Sequence, residues 1–547
     1  MRSIPVFSIL VITVAAIGLC YVERTGINGL NMESAQAAPA RAAEEHIPLT
    51  ADISVIASNE ITVIDKRIYG HFIEFFGNYL EGLLWTNEEE AKGHKLVLGG
   101  VREDLYEAMK ELDMTLLRWP GGCFSDTYNW RDGIGTAAQR PARENLAWGG
   151  TVKNTFGTDE FLRLCESLGV EPLINVNLGT GTAQEAADWV RYVNDPPDTE
   201  FGRLRAQNGH PEPYKVKLWG IGNESFGFWE KGDLTDPKDY VAKYLEFYRA
   251  MKEADPAIEI LAVGAVGFYS EWNKEVLTQL ADYMDYYSLH IYIPIAEILG
   301  IKNHKEMYYV LVSAADDFEK IIEQFEQDIL KYAGPDTKIR AALDEWNLVW
   351  YKSDSISYND FELSTGLFTA DMLMRLQRHC PRWAFANFAQ LLGAIPLIGV
   401  DEKTLFLNPY YLAFTMFRHH AGDRLLESHI NSPTFFNSAY GNIALRKDNP
   451  VIEVSATTTA DRNKLYLIVI NKHYDAPVTA TINIRDFKVG SAALTWELNG
   501  DSPHSKNTFQ QKDAVRISEG NLSLSGNQFA YTFPPHSVTA MEIPAAR

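Results

Sequence analysis

Between about residue 68 and residue 392, short apolar segments alternate with longer amphipathic ones, and this alternation restricts the fold more than any other feature. Apolar runs of strand length predict buried β-strands, and apolar residues at a helical period predict helices between them. The predicted strands are IYGHFIEFFG, MTLLRW, EPLINVNLG, KLWGIGNE, EILAVGAV, YYSLHIYI, IRAALDEWN and RWAFANFAQLL. Eight strands with helical crossovers over this length predict an α/β fold, the closed (β/α)8 TIM barrel.

After about residue 400 the pattern changes to short alternating strands separated by Asn, Gly and Pro, such as KLYLIVINKH and SVTAMEI. This texture predicts a C-terminal β-sandwich, jelly-roll-like, rather than further barrel units. We therefore expect the catalytic barrel to span 68–400 and the sandwich to span 401–547. Residues 38–67 are expected to form a linker and an N-terminal strand that joins the same sandwich.

Residues 1–37 have the features of a targeting segment. Arg2 is followed by an uncharged, mainly apolar stretch over 4–22, and the small-residue sequence Ala-Gln-Ala occupies 35–37. This arrangement predicts a signal peptide, although the apolar stretch is also long enough for an uncleaved signal anchor. In both cases the folded part is expected outside the cytoplasm, secreted or periplasmic, with no stable membrane insertion if the signal is cleaved.

Charge and cysteine content exclude several classes of function. The formal net charge of -22 argues against nucleic acid as a partner, because nucleic-acid binding depends on clustered Lys and Arg. Beyond the predicted signal, the cysteines are Cys123, Cys165 and Cys380, which are too few for a disulfide framework. No Cys/His spacing suggests zinc, and the sequence implies no metal and no cofactor.

Two carboxylates stand at the ends of predicted barrel strands. Glu224 ends the fourth strand, and Glu345 ends the seventh. Catalytic groups of such barrels lie at the carboxyl ends of the strands, so these side chains are expected to face each other across the barrel mouth. Two opposed carboxylates are what glycoside hydrolysis needs, one to donate a proton and one to attack the anomeric carbon.

An Asn-Glu pair at a strand end is, taken alone, more often a helix cap or a surface salt bridge. That interpretation loses weight here because polar residues end other strands of the same barrel. They are Glu74 on the first strand, Asn175 and Asn177 on the third, His290 and Tyr292 on the sixth, and Asn387 and Gln390 on the eighth. A ring of amides, carboxylates and aromatic rings at one end of a barrel is typical of a sugar-binding site.

In order along the chain, these motifs resemble the family 51 α-L-arabinofuranosidases, over about residues 50 to 547. The resemblance rests on YGHFIEFFG, RWPGGCFSDTYNWRDGIG, ENLAW, WGIGNE, SLHIY, LDEWN and NFAQL. It implies that Glu224 is the acid/base, that Glu345 is the nucleophile, and that Asn223 holds the 2-hydroxyl of the sugar. Further positions that the resemblance places in the sugar pocket are Glu74, Trp148, His290, Tyr292 and Gln390.

Cys123 departs from the family pattern, in which many members carry Asn after the two glycines of PGG. An amide both donates and accepts hydrogen bonds, whereas a thiol does so weakly. Two interpretations stay open for Cys123: it lines the subsite for the terminal sugar, or it only packs. A nucleophilic role is disfavoured because no adjacent His or Lys is evident to lower its pKa.

These observations together predict a retaining, exo-acting α-L-arabinofuranosidase that acts on arabinan, arabinoxylan or their oligosaccharides by double displacement. The alternatives are an endo-β-1,4-glucanase or xylosidase on the same scaffold, and a carbohydrate-binding protein without turnover. The family resemblance also suggests a homo-oligomer, commonly a hexamer. Because like charges repel, we expect the charge of Glu345 to raise the pKa of Glu224.

Overall fold

The computed structural model of this chain describes residues 48–293, 303–349 and 361–546. Eight parallel strands close into a barrel in chain order, the eighth strand pairing with the first. From first to eighth, the barrel strands are Gly70–Phe72, Leu116–Trp119, Glu171–Val176, Leu218–Ile221, Glu259–Val263, Tyr286–Ile293, Arg340–Leu348 and Trp383–Phe388. All eight correspond to the segments predicted from the sequence, and the barrel prediction is confirmed.

Helices surround the barrel, and local sequence signals fix where several of them begin. The α-helices are Glu103–Leu112, Thr158–Leu168, Ala183–Asn194, Glu200–Gln207, Pro237–Ala254, Ser270–Leu280, His304–Val312, Ala315–Tyr332, Leu363–His379 and Pro409–His419. Thr182, for example, accepts the backbone N–H of Glu185, and the Glu185 carboxylate accepts the backbone N–H of Thr182. This reciprocal cap satisfies two N–H groups that the first helical turn would otherwise leave without partners.

Apolar side chains close the amino-terminal end of the barrel interior. Seven of the eight strands contribute to one buried cluster, formed by Leu116, Leu173, Leu218, Leu261, Tyr286, Ala342, Ala384 and Phe385. The barrel is therefore a packed core and not a channel, as the fold requires. Polar side chains are left to the opposite, carboxyl-terminal end of the strands.

The strands outside the barrel belong mainly to one nine-stranded sheet. In spatial order they are Val515–Ser523, Ala492–Gly500, Ser537–Pro544, Lys464–Asn471, Ile452–Thr458, Arg424–Asn431, Leu49–Val63, Val478–Arg485 and Gln528–Phe533. The N-terminal strand pairs antiparallel with Arg424–Asn431 and parallel with Val478–Arg485. The prediction of a C-terminal strand domain after the barrel is confirmed.

Short elements complete the described ranges. Two-stranded ladders join Leu96–Val97 to Val101–Arg102, Arg143–Glu144 to Thr151–Val152, Ile398–Val400 to Leu405–Leu407, and Thr434–Asn437 to Arg446–Pro450. The 3-10 helices are Lys66–Tyr69, Ser125–Thr127, Trp130–Gly133, Ala137–Gln139 and Gly267–Tyr269. Of the helices described, none has both the length and the apolar character needed to cross a membrane.

The limits of the domains, 38–67, 68–400 and 401–547, stay predictions. The predicted targeting segment, 1–37, lies outside the described residues.

Candidate active site

The two predicted catalytic carboxylates meet at the carboxyl end of the barrel. Glu224 lies just after the fourth strand, Leu218–Ile221, and Glu345 lies near the end of the seventh, Arg340–Leu348. Three atoms lie within 4.8 Å of one another: a carboxylate oxygen of Glu224, a carboxylate oxygen of Glu345 and a ring nitrogen of His290. Both side chains are largely buried, Glu224 being 8% exposed and Glu345 7%.

Glu345 accepts hydrogen bonds from two side chains. Nη1 of Arg118 donates to Oε1 at 2.7 Å, and the hydroxyl of Tyr292 donates to Oε2. Burial raises the pKa of Tyr292 and the charge of Glu345 raises it further, so this hydroxyl keeps its proton. These two hydrogen bonds orient the carboxyl group of Glu345, as a nucleophile requires.

Glu224 is held by an aromatic ring system and a histidine. The indole N–H of Trp229 donates to Oε2 at 2.8 Å, and Nδ1 of His290 lies 2.8 Å from Oε1. The backbone of Glu224 has a φ of 41°, a left-handed conformation that costs a non-glycine residue about 1–3 kcal/mol. The contacts with Trp229 and His290 therefore hold Glu224 in place although its backbone conformation is unfavourable for a residue other than glycine.

The protonation of Glu224 differs from the expectation. Burial raises the pKa of Glu224, but the hydrogen bond and charge of His290 outweigh burial and leave the pKa below its usual value. Burial lowers the pKa of His290, whereas Glu345, Asp344 and Glu224 raise it to about 10. The prediction of a raised pKa for Glu224 is therefore wrong, because it ignored the cation beside that carboxylate. His290 and Glu224 titrate as a pair that holds one proton at neutral pH.

The two glycines of PGG make room for the carboxylates. A Cβ on Gly121 would lie 2.2 Å from Cγ of Glu74, and a Cβ on Gly122 would lie 2.8 Å from Oε1 of Glu345. The backbone N–H groups of Gly122 and Phe124 donate to Oε1 of Glu74 at 3.1 and 3.0 Å. Burial raises the pKa of Glu74 to about 7 against the lowering effect of these donors. The turn thus forms the floor between the first, second and seventh strands.

Asn223 has both ends of its amide fixed. Its Oδ1 accepts from Nη2 of Arg118 at 2.7 Å, and its Nδ2 donates to Oε1 of Glu230 at 3.1 Å. Its backbone N–H donates to Oδ2 of Asp126 at 3.4 Å. Burial raises the pKa of Asp126 to about 7. The amide of Asn223 lies near Glu345, since the same Cβ built on Gly122 would be 3.7 Å from Nδ2.

The structure brings the other predicted pocket residues to the same end of the barrel. The amide of Gln390 donates to Oε2 of Glu74 at 3.4 Å, and Trp148 lies beside the same carboxyl. Cys123 is partly buried, and its thiol faces Glu230. Burial raises the pKa of Cys123 and the nearby carboxyls raise it further, which is the opposite of what a nucleophilic thiol needs.

Sequence reasoning missed four residues of this site. Three of them are Arg118, Trp229 and Glu230, and the fourth is Asp344, whose Oδ2 lies 3.1 Å from Nε of Arg118. A signal was present for Arg118, because a lone arginine within an apolar barrel strand must find carboxylates when it is buried. Trp229 and Glu230 lie in a loop, and no periodicity marks them.

Glu224, His290 and Glu345 offer ligand atoms close enough to surround a metal ion. Arg118 donates directly to Glu345, however, and His290 is itself cationic. Two positive charges in contact with these carboxylates already neutralise them and oppose a third cation.

A (β/α)8 barrel with two close carboxylates on its fourth and seventh strands defines a glycoside hydrolase. Residues 108–305 match the family described as "Alpha-L-arabinofuranosidase 1 domain", and residues 344–537 match the "Alpha-L-arabinofuranosidase C-terminal domain". The "Intracellular exo-alpha-L-arabinofuranosidase" of Bacteroides ovatus is 30% identical over 508 residues, which are 90% of this chain and 96% of that protein. This chain therefore belongs to the family 51 α-L-arabinofuranosidases.

Solved structures agree with this assignment. The crystal structure of α-L-arabinofuranosidase from Thermotoga maritima, in an arabinose complex, is 32% identical with a TM-score of 0.81. The match covers 90% of this chain and 100% of the Thermotoga maritima chain. The predicted family and enzyme class are confirmed, and the glucanase, xylosidase and non-catalytic alternatives are set aside.

The predicted secreted or periplasmic location is wrong. The Bacteroides ovatus relative is named as an intracellular enzyme. A second relative, from Bifidobacterium longum, is 28% identical over 88% of each chain and is also named intracellular. The prediction relied on the composition of the N-terminal segment alone, and a short apolar stretch carries little information about the folded part.

Proposed function

We propose that Glu224 and Glu345 carry out a retaining hydrolysis of terminal α-L-arabinofuranosyl residues. The observation that supports this most is the approach of their carboxylate oxygens to within 4.8 Å. Retaining glycosidases have carboxyl groups about 5–5.5 Å apart, whereas inverting enzymes need about 6.5–9.5 Å to admit a water molecule. The separation suits direct attack by one carboxylate on the anomeric carbon.

In the first step, a carboxylate oxygen of Glu345 forms a bond to the anomeric carbon. The bond from that carbon to the leaving oxygen breaks, its electron pair stays on the oxygen, and Glu224 protonates it. His290 replaces this proton through its Nδ1, which lies against Oε1 of Glu224. The transition state gains positive charge on the sugar ring, and the buried carboxylates around it stabilise that charge.

In the second step, water attacks the same carbon and the bond to Glu345 breaks. The His290–Glu224 pair, which lost one proton in the first step, takes one proton from this water. The pair returns to its starting state, and the two inversions leave the anomeric configuration retained. One pair thus serves as acid and then as base.

The substrates proposed are arabinan, arabinoxylan and oligosaccharides derived from them. The Bifidobacterium longum relative is named an exo-α-(1→5)-L-arabinofuranosidase, which supports exo-action on terminal arabinofuranose. Asn223, Glu74, Tyr292, Trp148 and Gln390 would bind the terminal sugar, with Asn223 on its 2-hydroxyl. A homo-oligomer is also proposed from the family resemblance, and light scattering of the purified chain tests it.

Two variants separate the proposed roles. Glu345→Ala should abolish turnover of every substrate, since no covalent intermediate can form. Glu224→Ala should form the intermediate from an arabinofuranoside with a good leaving group, which needs no proton, and then accumulate it. Azide needs no general base and should restore turnover of Glu224→Ala alone, with a retained glycosyl azide as product. If both variants lose activity equally on substrates with every leaving group, and azide restores neither, the roles assigned to Glu224 and Glu345 are wrong.

A further inference from the structure

Glu230 is a buried carboxyl that the reaction itself does not use. It lies in the loop after the fourth barrel strand and is 4% exposed. Its backbone N–H donates to the carbonyl of Gly227 at 3.1 Å, which turns the chain back toward the site. Its Oε1 accepts the hydrogen bond from Nδ2 of Asn223. Its Oε2 has no hydrogen-bonding partner within the described ranges.

The contacts of Asn223 leave one of its N–H groups free for a ligand. Arg118 has only donors to offer, so the amide oxygen must face the guanidinium, and Nδ2 must face Glu230. An amide nitrogen carries two hydrogens, and Glu230 accepts one of them. Both Nδ2 of Asn223 and Oε1 of Glu345 lie near Gly122, at 3.7 and 2.8 Å from a Cβ built there. Glu230 fixes the nitrogen end of the amide, and Arg118 fixes the oxygen end.

Glu230 can hold the amide without adding charge to the site. Burial raises its pKa well above the usual value, and the charges of Glu224 and Asp126 raise it further. The raised pKa favours the neutral carboxylic acid, whose carbonyl oxygen can accept from the amide. An anion at the same point would repel Glu224 and oppose the proton transfers of that carboxylate.

We propose that Glu230 is a positioning residue that fixes the amide of Asn223, so that the free N–H reaches the 2-hydroxyl of the terminal sugar. The inference rests on the proposed function, in which Asn223 binds that hydroxyl. It assigns to Glu230 no contact with the reacting atoms. Glu230 should therefore affect catalysis only on substrates that carry the 2-hydroxyl. A substrate without that hydroxyl tests the proposal.

The test compares an aryl α-L-arabinofuranoside with its 2-deoxy analogue. Hydrogen bonds to this hydroxyl strengthen in the transition state and are worth several kcal/mol, so the wild-type kcat/KM should favour the arabinofuranoside after correction for the intrinsic reactivity of each substrate. Glu230→Leu should lower kcat/KM about 10-fold or more on the arabinofuranoside, the cost of a misplaced hydrogen bond, and about 2-fold or less on the 2-deoxy substrate. Adding Glu230→Leu to Asn223→Ala should cause no further loss on the arabinofuranoside.

Two further variants keep the test decisive if Glu230→Leu folds poorly. Glu230→Gln has the same shape and the same lack of charge, and it should restore the preference for the 2-hydroxyl. Glu230→Asp withdraws the carboxyl by one methylene and should lose that preference. Asp159→Leu is the matched control: Asp159 is also a buried carboxyl, bonded instead to Tyr192 and Tyr214, and its removal should leave the preference intact.

Equal losses by Glu230→Leu on both substrates would show a purely structural residue and overturn the inference. Failure of Glu230→Gln to restore the preference would also overturn it, because a neutral acceptor would then not suffice. A wild-type enzyme without any preference for the 2-hydroxyl would instead contradict the role proposed for Asn223. The two failures are therefore distinguishable.

Discussion

His290 lies between three carboxylates. Its Nδ1 is 2.8 Å from Glu224 and 3.7 Å from Glu345, and its Nε2 is 3.8 Å from Asp344. Arg118 adds a second cation at the same oxygen of Glu345, Oε1, with its Nη1 at 2.7 Å. Since the pKa of His290 is raised to about 10, the ring carries its proton throughout the neutral range. In the proposed mechanism, the acid is thus a pair of residues, His290 and Glu224, rather than a single carboxyl group.

Replacing His290 tests that conclusion through the pH profile. In the wild type, the alkaline limb of kcat/KM reports loss of the proton shared by His290 and Glu224. In His290→Phe the proton must sit on Glu224 alone, so the limb should move to lower pH. Activity at neutral pH should fall about 10- to 100-fold, part of the ~10²–10⁴-fold that general acid catalysis contributes. Activity on substrates with good leaving groups should fall less. An alkaline limb at the same pH in His290→Phe and the wild type would contradict the conclusion that His290 and Glu224 share the proton.

The residues that sequence reasoning located share one property: their position on the barrel. Glu224 and Glu345 could be predicted because strand ends converge at one face. Glu230 could not, since a glutamate in a loop is ordinarily exposed, and only the return of the loop buries it. The protonation of Glu224 was mispredicted for a similar reason, because the contact with His290 joins the fourth and sixth strands.

Among the elements, the turn after the second barrel strand matters most for the site. Gly121 and Gly122 let the backbone pass within contact distance of Glu74 and Glu345. Gly121 has a φ of 143°, a conformation that few other residues adopt. The PGG motif could be recognised in the sequence. Why both positions must be glycine could not be predicted, because the atoms that exclude a Cβ belong to side chains from two other strands.

Gly122→Ala should therefore impair catalysis more than folding. The added methyl group would lie 2.8 Å from Oε1 of Glu345 and must displace that carboxylate, the proposed nucleophile. A displacement of about 1 Å can cost on the order of 100-fold, so we expect a loss of that size in kcat with a native circular dichroism spectrum. Gly267→Ala is the control, since a Cβ there meets no atom of the described residues within 4 Å. Equal activity of the two variants would contradict the packing described.

In the whole molecule, buried ion pairs join the strand domain to the barrel. Nζ of Lys472, which follows the strand Lys464–Asn471, lies 2.7 Å from Oδ2 of Asp371 on the helix Leu363–His379. Arg375, one turn later on that helix, lies 3.1 Å from the same carboxylate. The periodicity of strands and helices predicted both the barrel and the strand domain. It could not predict the ion pairs between them, because Asp371 and Lys472 are far apart in the sequence and no local pattern links them.

Lys472→Met should destabilise the protein although the site is untouched. Removing one partner of a buried pair costs about 3–5 kcal/mol when no other cation is near, and Arg375, which still faces Asp371, should reduce that cost only in part. Lys464→Met is the matched control, because Lys464 is 45% exposed in its pair with Glu542 and such pairs are worth about 0–1 kcal/mol. Urea unfolding of both variants gives the comparison. A Lys472→Met protein as stable as the control would show that these ion pairs do not hold the units together.

The stereochemistry of the first product tests the double displacement most directly. In aqueous methanol, an intermediate on Glu345 should be intercepted by methanol from the face that the leaving group occupied. ¹H NMR during the first minutes should then show methyl α-L-arabinofuranoside, the retained anomer, formed from an aryl α-L-arabinofuranoside. Formation of the β-anomer would mean a single displacement, and Glu345 could not be the nucleophile.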